Sequence, residues 1–178
     1  MKKFIIAISI FVGFLANPAY SQLQLGAQLG PQIPIGDLGD AFNTSFGLNV
    51  SGKYFIQDNM AVGLNLGKHW FGTGSSNASF SSMPVTGLFE YYFGSSDFKP
   101  YVGMDLGLYI ARGKVSWGGS SYASSEAYFG FAPKLGFAYY ISYISNNIAV
   151  TVDAKFHFMT SDPMTEYIGI NFGIALDL

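Results

Sequence analysis

The stretch Ile148-Ala-Val-Thr-Val-Asp-Ala-Lys-Phe-His-Phe158 alternates between two kinds of side chain. Every even-numbered position in it is apolar, and the odd-numbered positions include Thr, Asp, Lys and His. A period of two puts the two sets on opposite faces of a β-strand, whereas a helix would scatter both sets around its axis. The stretch is therefore predicted to be a strand with one apolar and one polar face.

The same alternation recurs along the chain and predicts eight strands in all. In chain order they are residues 23–30, 44–55, 60–67, 82–93, 101–110, 126–141, 148–158 and 168–178. A membrane helix through residues 127–144 is the rival interpretation. Pro133 and Lys134 lie at the middle of that segment and glycines flank them, which disfavours a spanning helix.

The connections between the predicted strands alternate between long and short. The long ones, rich in Gly, Ser and Asp, are 31–43, 72–81, 112–125 and 161–165, and the short ones are 56–59, 94–98 and 142–147. Long loops at one end and tight turns at the other are typical of an up-and-down barrel. We therefore predict an all-β fold, an eight-stranded antiparallel up-and-down transmembrane barrel, whose closure leaves no exposed sheet edge.

Composition decides between a soluble and a membrane-embedded barrel. Only 11% of the 178 residues are charged and 49% are hydrophobic, against about 25% charged residues in an ordinary soluble domain. The apolar faces carry bulky aliphatic and aromatic residues, and the opposite faces are mostly small, which is unlike the charged exterior of a soluble barrel such as a lipocalin. Aromatic residues near the strand ends are typical of membrane-interface girdles; they are Tyr54, Tyr91, Phe93, Tyr139, Trp70, Tyr109 and Phe158.

The first 21 residues have the pattern of a cleaved signal peptide. Lys2 and Lys3 precede an apolar run over residues 4–16, and Ala19-Tyr-Ser21 supplies a small-x-small cleavage site. Thirteen apolar residues are too few to span a bilayer, which needs about 20. We expect residues 1–21 to be the signal peptide and residues 22–178 to be the barrel domain.

Several classes of function are excluded by composition. Nine basic against eleven acidic residues leave no excess of positive charge for nucleic acid. The absence of cysteine excludes disulfides, thiolate metal sites and cysteine nucleophiles. Since no metal cluster, phosphate loop or dinucleotide fingerprint is recognisable either, we expect no cofactor and no catalytic, cofactor-binding or metal residues.

The whole predicted mature chain resembles the small eight-stranded outer-membrane barrels, the OmpA/OmpX/OmpW-like outer membrane protein beta-barrel domain group. The resemblance lies in the signal peptide, the hairpin rhythm and the last strand, Glu166-Tyr-Ile-Gly-Ile-Asn-Phe-Gly-Ile-Ala-Leu-Asp-Leu178. It implies an integral bacterial outer-membrane protein in contact with outer-membrane lipid and lipopolysaccharide. It also implies that the barrel-assembly machinery reads the last strand, and that the long loops face outside.

Strand parity places seven ionisable side chains in the lumen: Lys53, Glu90, Asp105, Lys134, Asp153, Lys155 and His157. Three acids face three lysines, and Asp105, Lys134, Asp153 and Lys155 are expected at similar depths, where they would form one ion-pair network. The network is either a plug that neutralises itself or a gate or proton path. We favour the plug, because side chains fill the lumen of an eight-stranded barrel.

Two functions remain open on this basis. A structural or surface-interaction barrel, its extracellular ligand unknown, would use exposed loop residues, for which Leu38, Phe42, Trp117 and Tyr122 are the candidates, unless these fold back onto the rim. The alternative is a narrow porin-like or OmpW-like passage for small hydrophobic solutes, lined by Tyr109, Tyr128 and Met159.

A lipid A-modifying enzyme is the third and weakest interpretation. It would combine His157 with Thr160 or Ser161 and with Asp162 or Glu166 in a serine-hydrolase arrangement. His157 points inward by parity, whereas a lipid-cutting site should open toward the membrane. We therefore expect no enzyme.

Overall fold

A computed structural model describes residues 23–72, 78–117, 120–143, 145 and 147–178. The strands are β1 (Leu23–Ile35), β2 (Ser45–Gln57), β3 (Met60–Gly72), β4 (Ala78–Tyr92), β5 (Phe98–Trp117), β6 (Ser120–Tyr140), β7 (Ile148–Met159) and β8 (Thr165–Asp177), with one short helix, α1 (Gly36–Ala41), after β1. The predicted signal peptide lies outside the described residues. Within the described ranges no helix is long and apolar enough to cross a bilayer.

Each strand pairs antiparallel with the next, and β8 returns to pair with β1, so the sheet closes into a barrel. This confirms the predicted eight-stranded up-and-down fold. The turns between β2 and β3, β4 and β5, and β6 and β7 lie at one end, which we call the short-turn end. The other end carries α1 and the remaining connections, and in outer-membrane barrels it is the extracellular end.

The two faces of the wall differ as the alternation predicts. Large apolar side chains point outward and stay exposed, among them Leu64 at 67%, Leu135 at 65% and Ile174 at 61%. Monomeric soluble proteins rarely expose a continuous apolar surface of this kind, and such surfaces mark sites of contact with protein or membrane. The belt is therefore the lipid-facing surface, and the strands are long enough to cross, since a tilted spanning strand needs about 9–11 residues.

The aromatic girdles are present with one correction. Trp70, Phe93 and Tyr139 are exposed on the outside near strand ends. Tyr109, which we expected among the girdle residues, is fully buried in the lumen. It shares the odd-numbered parity of Asp105 on β5, so its ring points inward, and β5 continues well beyond the end predicted at residue 110.

Residues 31–43 are only partly a loop. β1 continues through Ile35, paired with Glu166 of β8, and α1 follows immediately. Two prolines are accommodated in this extension: β1 pairs with β2 only as far as Gln32, so Pro34 lies at an edge, where a missing N–H group is tolerated.

Residues 112–125, predicted as a long loop, are mostly a β-hairpin. β5 and β6 stay in register from Arg112 opposite Ser125 to Trp117 opposite Ser120. The two strands have 20 and 21 residues, against 12 and 13 for β7 and β8, so the hairpin projects beyond the barrel rim. A strand wetted on both faces has no apolar side, and its Gly- and Ser-rich sequence therefore lacks the period-two signal.

The lipid-facing assignment predicts the effect of an outward charge. Leu64→Arg should lower the free energy of unfolding by about 2–4 kcal/mol, because it places a cation near the middle of the hydrocarbon layer. Tyr122→Arg on the projecting hairpin is the matched control and should change it by about 0.5 kcal/mol or less. Denaturant titration of both variants in lipid vesicles measures the difference. Equal stability of the Leu64→Arg variant and the wild type would contradict the assignment.

Candidate functional site

The lumen is narrow enough for side chains from opposite walls to meet, and glycines make room for the larger ones. At Gly103 an added Cβ would lie 2.8 Å from Lys134 Cε and 3.0 Å from Glu90 Cγ. At Gly136 it would lie 2.9 Å from the ring of Tyr101. The small inward residues of the alternation are thus the spaces that the charged and aromatic side chains occupy.

One continuous chain of ion pairs crosses the lumen. Lys134 Nζ lies 2.7 Å from Glu90 Oε1 and 2.6 Å from Asp105 Oδ1. Lys53 Nζ lies 2.8 Å from the other oxygen of Glu90, and Lys155 Nζ lies 3.1 Å from the other oxygen of Asp105. The five side chains come from five strands, β2, β4, β5, β6 and β7, and alternate in charge from one lysine to the next. None is more than 7% exposed, so each charge depends on its partner.

Asp153 lies outside this chain, contrary to the expected grouping with Lys134 and Lys155. Its carboxylate accepts hydrogen bonds from Tyr101 Oη at 3.0 Å, Gln28 Nε2 at 2.8 Å and Asn171 Nδ2 at 2.8 Å. It points toward β8 and β1, where amides rather than lysines supply the donors.

His157 is also separate from the ion pairs. Its Nδ1 lies 2.9 Å from Tyr109 Oη, and its ring stacks on Tyr167 with centroids 4.4 Å apart. The ring centroid of His69, on β3, lies 5.2 Å from that of His157. His69 Nδ1 lies 2.8 Å from Tyr167 Oη. Two histidines and two tyrosines therefore form one buried cluster toward the extracellular end, and among the described residues no group of three or more metal-ligating side chains occurs.

A layer of buried amides, which the sequence analysis did not single out, links Asp153 to the histidine–tyrosine cluster. Asn171 Oδ1 accepts from Gln32 Nε2 at 3.1 Å and from Asn49 Nδ2 at 3.2 Å. Asn49 Oδ1 in turn lies 3.1 Å from His69 Nε2. The signal was available for Asn49, which has the inward parity of Lys53 on β2, and for Asn171, which the alternation places opposite the apolar face of the last strand.

Aromatic clusters close both ends of this polar interior. At the short-turn end Tyr92, Tyr101 and Tyr140 pack with four buried alanines and with Phe55. At the extracellular end the buried cluster joins α1 to the barrel wall; its members are Leu38, Phe71, Tyr109, Met159 and Tyr167, with Phe42, Phe80 and Tyr128 packed against them. The side chains that the structure describes therefore fill the lumen at three levels.

The four expected loop contacts fall into three groups. Leu38 and Phe42 follow the alternative and fold back onto the rim: Leu38 is 9% exposed, and Phe42 packs against its cluster with its ring 5.6 Å from that of Phe80. The short helix α1 turns these apolar side chains down onto the lumen instead of presenting them to solvent. Tyr122 is 75% exposed on the hairpin. Trp117 ends β5, and its side chain lies outside the described part of the chain.

The residues considered for catalysis do not meet. Ser161 Oγ donates to the carbonyl oxygen of Pro163 at 2.8 Å, and Thr160 Oγ1 donates to the carbonyl oxygen of Phe129 at 2.9 Å. His157 instead contacts Tyr109 and Tyr167 in the lumen. Neither hydroxyl has a hydrogen bond to a histidine in the described residues.

The outer membrane protein beta-barrel domain family matches residues 5–175. The chain belongs to this family. It is therefore an integral outer-membrane protein, and the closed barrel with its apolar outer belt is the membrane-embedded part. None of the curated proteins matches the chain.

Solved structures share the fold at low sequence identity. Neisserial surface protein A has a TM-score of 0.68 and 17% identity, over 90% of this chain and 99% of that one. OprG from Pseudomonas aeruginosa has a TM-score of 0.57 and 16% identity, over 90% and 99%. Ail, the attachment invasion locus protein of Yersinia pestis, has a TM-score of 0.55 and 16% identity, over 86% and 96%.

The ion-pair chain predicts which lysine matters most for stability. Lys134→Met leaves two buried carboxylates with one partner each and should lower the free energy of unfolding by about 3–5 kcal/mol. Lys155→Met removes only one ion pair and should cost less.

Adding Asp105→Asn to Lys134→Met removes the carboxylate that pairs with Lys155 and should lower the stability further, because Lys155 then becomes a buried charge without its ion-pair partner. Denaturant titration of the four proteins in vesicles gives the order. If the Lys134→Met variant is as stable as the wild type, the ion-pair chain does not stabilise the barrel and the prediction is wrong.

Proposed function

We propose that this protein is a closed structural barrel that makes its functional contacts at the cell surface, and that the hairpin formed by β5 and β6 is its main contact element. The observation that carries the proposal is the filled lumen. The ion-pair chain spans it between Lys53 and Lys155, and aromatic clusters lie above and below. With the interior occupied, the surfaces left for a partner are the loops and the outer wall.

The hairpin has the reach that a surface contact requires. It extends beyond the strands beside it, and Tyr122 near its tip is 75% exposed. Tyrosine is favoured at protein interfaces because it offers a large contact area at low entropic cost. Ail shares the fold and is named an attachment invasion locus protein, which supports a surface role for a barrel of this kind.

The passage for small hydrophobic solutes has less support. Of the three residues expected to line it, Tyr109 and Met159 are at most 1% exposed and belong to the extracellular cluster. A solute would have to displace this cluster, and then the ion pairs, whose separation in a low-dielectric interior is costly.

An enzymatic role is likewise not what we propose. The buried His157 has tyrosine neighbours, and the hydroxyls of Thr160 and Ser161 hydrogen-bond elsewhere at the rim. No nucleophile, base and orienting group come together among the described residues in the manner that acyl transfer needs.

The closed lumen predicts the electrical behaviour of the protein. Wild-type protein inserted into planar bilayers should give no stepwise conductance, because ions cannot pass three occupied levels. A known porin added to the same membrane shows that the assay detects pores. Reproducible wild-type steps of porin size would refute the closed-barrel proposal.

The surface role predicts the effect of shortening the hairpin. Residues 115–122 are replaced by Asn-Gly, a two-residue turn that suits the antiparallel pair Lys114 and Ala123. Stability should be retained, because the removed part lies beyond the rim, whereas adhesion of expressing cells to host or neighbouring cells should fall to background. Tyr122→Ser is the milder variant and should lose part of the adhesion. Unchanged adhesion of the shortened protein would contradict the proposed contact element.

A further inference from the structure

The basic residues are unevenly distributed over the barrel. Beyond the predicted signal peptide the sequence has seven of them. Lys53, Lys134 and Lys155 lie in the lumen, and Lys99 lies at the short-turn end with its ammonium 4.6 Å above the ring of Tyr140. The other three are Lys68, Arg112 and Lys114, and Arg112 is the only arginine of the sequence. These three line one groove.

The groove lies on the outer wall across β3, β4, β5 and β6, with a volume of about 480 Å³. Strand register brings its residues together: Arg112 lies between Ser81 of β4 and Ser125 of β6, and Lys114 lies beside Ser79. Lys68 Nζ donates to Ser81 Oγ at 3.0 Å. Arg112 and Lys114 are exposed, and Lys68 is half-buried.

The residues below the groove show where it lies relative to the membrane. On the same outward parity, Leu66, Val85 and Leu108 belong to the exposed apolar belt. Arg112 follows Leu108 by four residues, which is about 13 Å along a strand. Trp70, two residues beyond Lys68, is outward and exposed as a girdle residue. The cations therefore lie just above the hydrocarbon layer, at the headgroup level of the outer leaflet.

The groove offers cations and hydroxyls without a carboxylate. Besides Lys68, Arg112 and Lys114, four serines, one glycine and one alanine line it. None of the described lining residues is an acid. None of the three cations forms a salt bridge within the described ranges. Glu126, which follows the lining residue Ser125, has inward parity and accepts a hydrogen bond from Tyr128 Oη. Like charges gathered on one sheet face are unfavourable unless an anion joins them.

We propose that this groove binds a phosphate group of lipopolysaccharide. A guanidinium pairs with two phosphate oxygens at once, the lysines add point charges, and the serine hydroxyls donate further hydrogen bonds. The choice of lipopolysaccharide follows from position, because an anion here must also present acyl chains to Leu66, Val85 and Leu108 directly below. A soluble anion has no acyl chains that could pack against this apolar surface. The site is separate from the proposed surface contact, and the shortened hairpin keeps all three cations.

The test is a titration of purified full-length protein in neutral detergent micelles with lipopolysaccharide carrying its lipid A phosphates. The triple variant Lys68→Gln, Arg112→Gln and Lys114→Gln should weaken binding about a hundredfold, because it removes all three cations. Arg112→Gln alone should weaken binding about tenfold, which corresponds to about 1.4 kcal/mol. Arg112→Lys should fall between Arg112→Gln and the wild type, because it keeps the charge and loses the paired geometry. Lys99→Gln, at the opposite end, is the matched control and should bind as the wild type does. The variants change exposed or half-buried outer residues, and circular dichroism and heat-modifiable migration verify that each barrel is folded.

Two further arms identify the anion. Lipopolysaccharide treated with phosphatase should bind at least about tenfold more weakly than the untreated form, and added salt should weaken the binding of the untreated form. Equal affinity for the two forms, or equal affinity of the wild type and the triple variant, would overturn the proposal. So would equally tight binding of phosphatidylglycerol vesicles or of soluble heparin, which would assign the groove to another anion.

Discussion

Each buried charge in the lumen of this barrel is held by side chains from other strands, through ion pairs or hydrogen bonds, and Lys134 pairs with two carboxylates at once. The interior of an eight-stranded barrel is filled by side chains, and an unpaired buried charge there costs several kcal/mol. Five strands contribute one member each to the ion-pair chain. Because a slip of one residue would turn every side chain of a strand to the other face, the ion pairs and the strand register depend on each other.

The bilayer imposes the complementary condition on the outside of the wall. Bulky apolar residues cover it, and the same alternation leaves the inward positions to glycine, alanine, amides and the charged residues. Small inward residues are what allow Tyr101 and Lys134 to lie across the lumen. The sequence has few charged residues because lipid surrounds the outer face of the wall. The charges that are present are concentrated in the lumen, the loops and one groove.

Much of this was predictable, because a period of two reports directly which face a side chain takes. It gave the eight strands and the inward direction of all seven ionisable lumen residues, which are buried in the structure. Parity does not report depth across strands that are distant in sequence, so it could not distinguish Asp105, which faces two lysines, from Asp153, which faces amides and Tyr101. It is also silent where both faces are wetted, as in the projecting hairpin. The inward turn of Leu38 and Phe42 depends on α1, a single short helix without a marked sequence signal.

The central claim to test is that the lumen is closed. If it is, the protein can contact other molecules only through its loops and its outer wall. The chain contains no cysteine, so single cysteines can be introduced without background. Ser51→Cys and Ser82→Cys place near-isosteric thiols at two buried inward positions, and Tyr122→Cys places one on the exposed hairpin. With a charged, membrane-impermeant thiol reagent added to both sides of the bilayer, we expect the two lumen thiols to stay unmodified during a reaction time that fully modifies the hairpin thiol. Modification of either lumen thiol at the rate of the hairpin thiol would show an open, water-filled lumen and contradict the account.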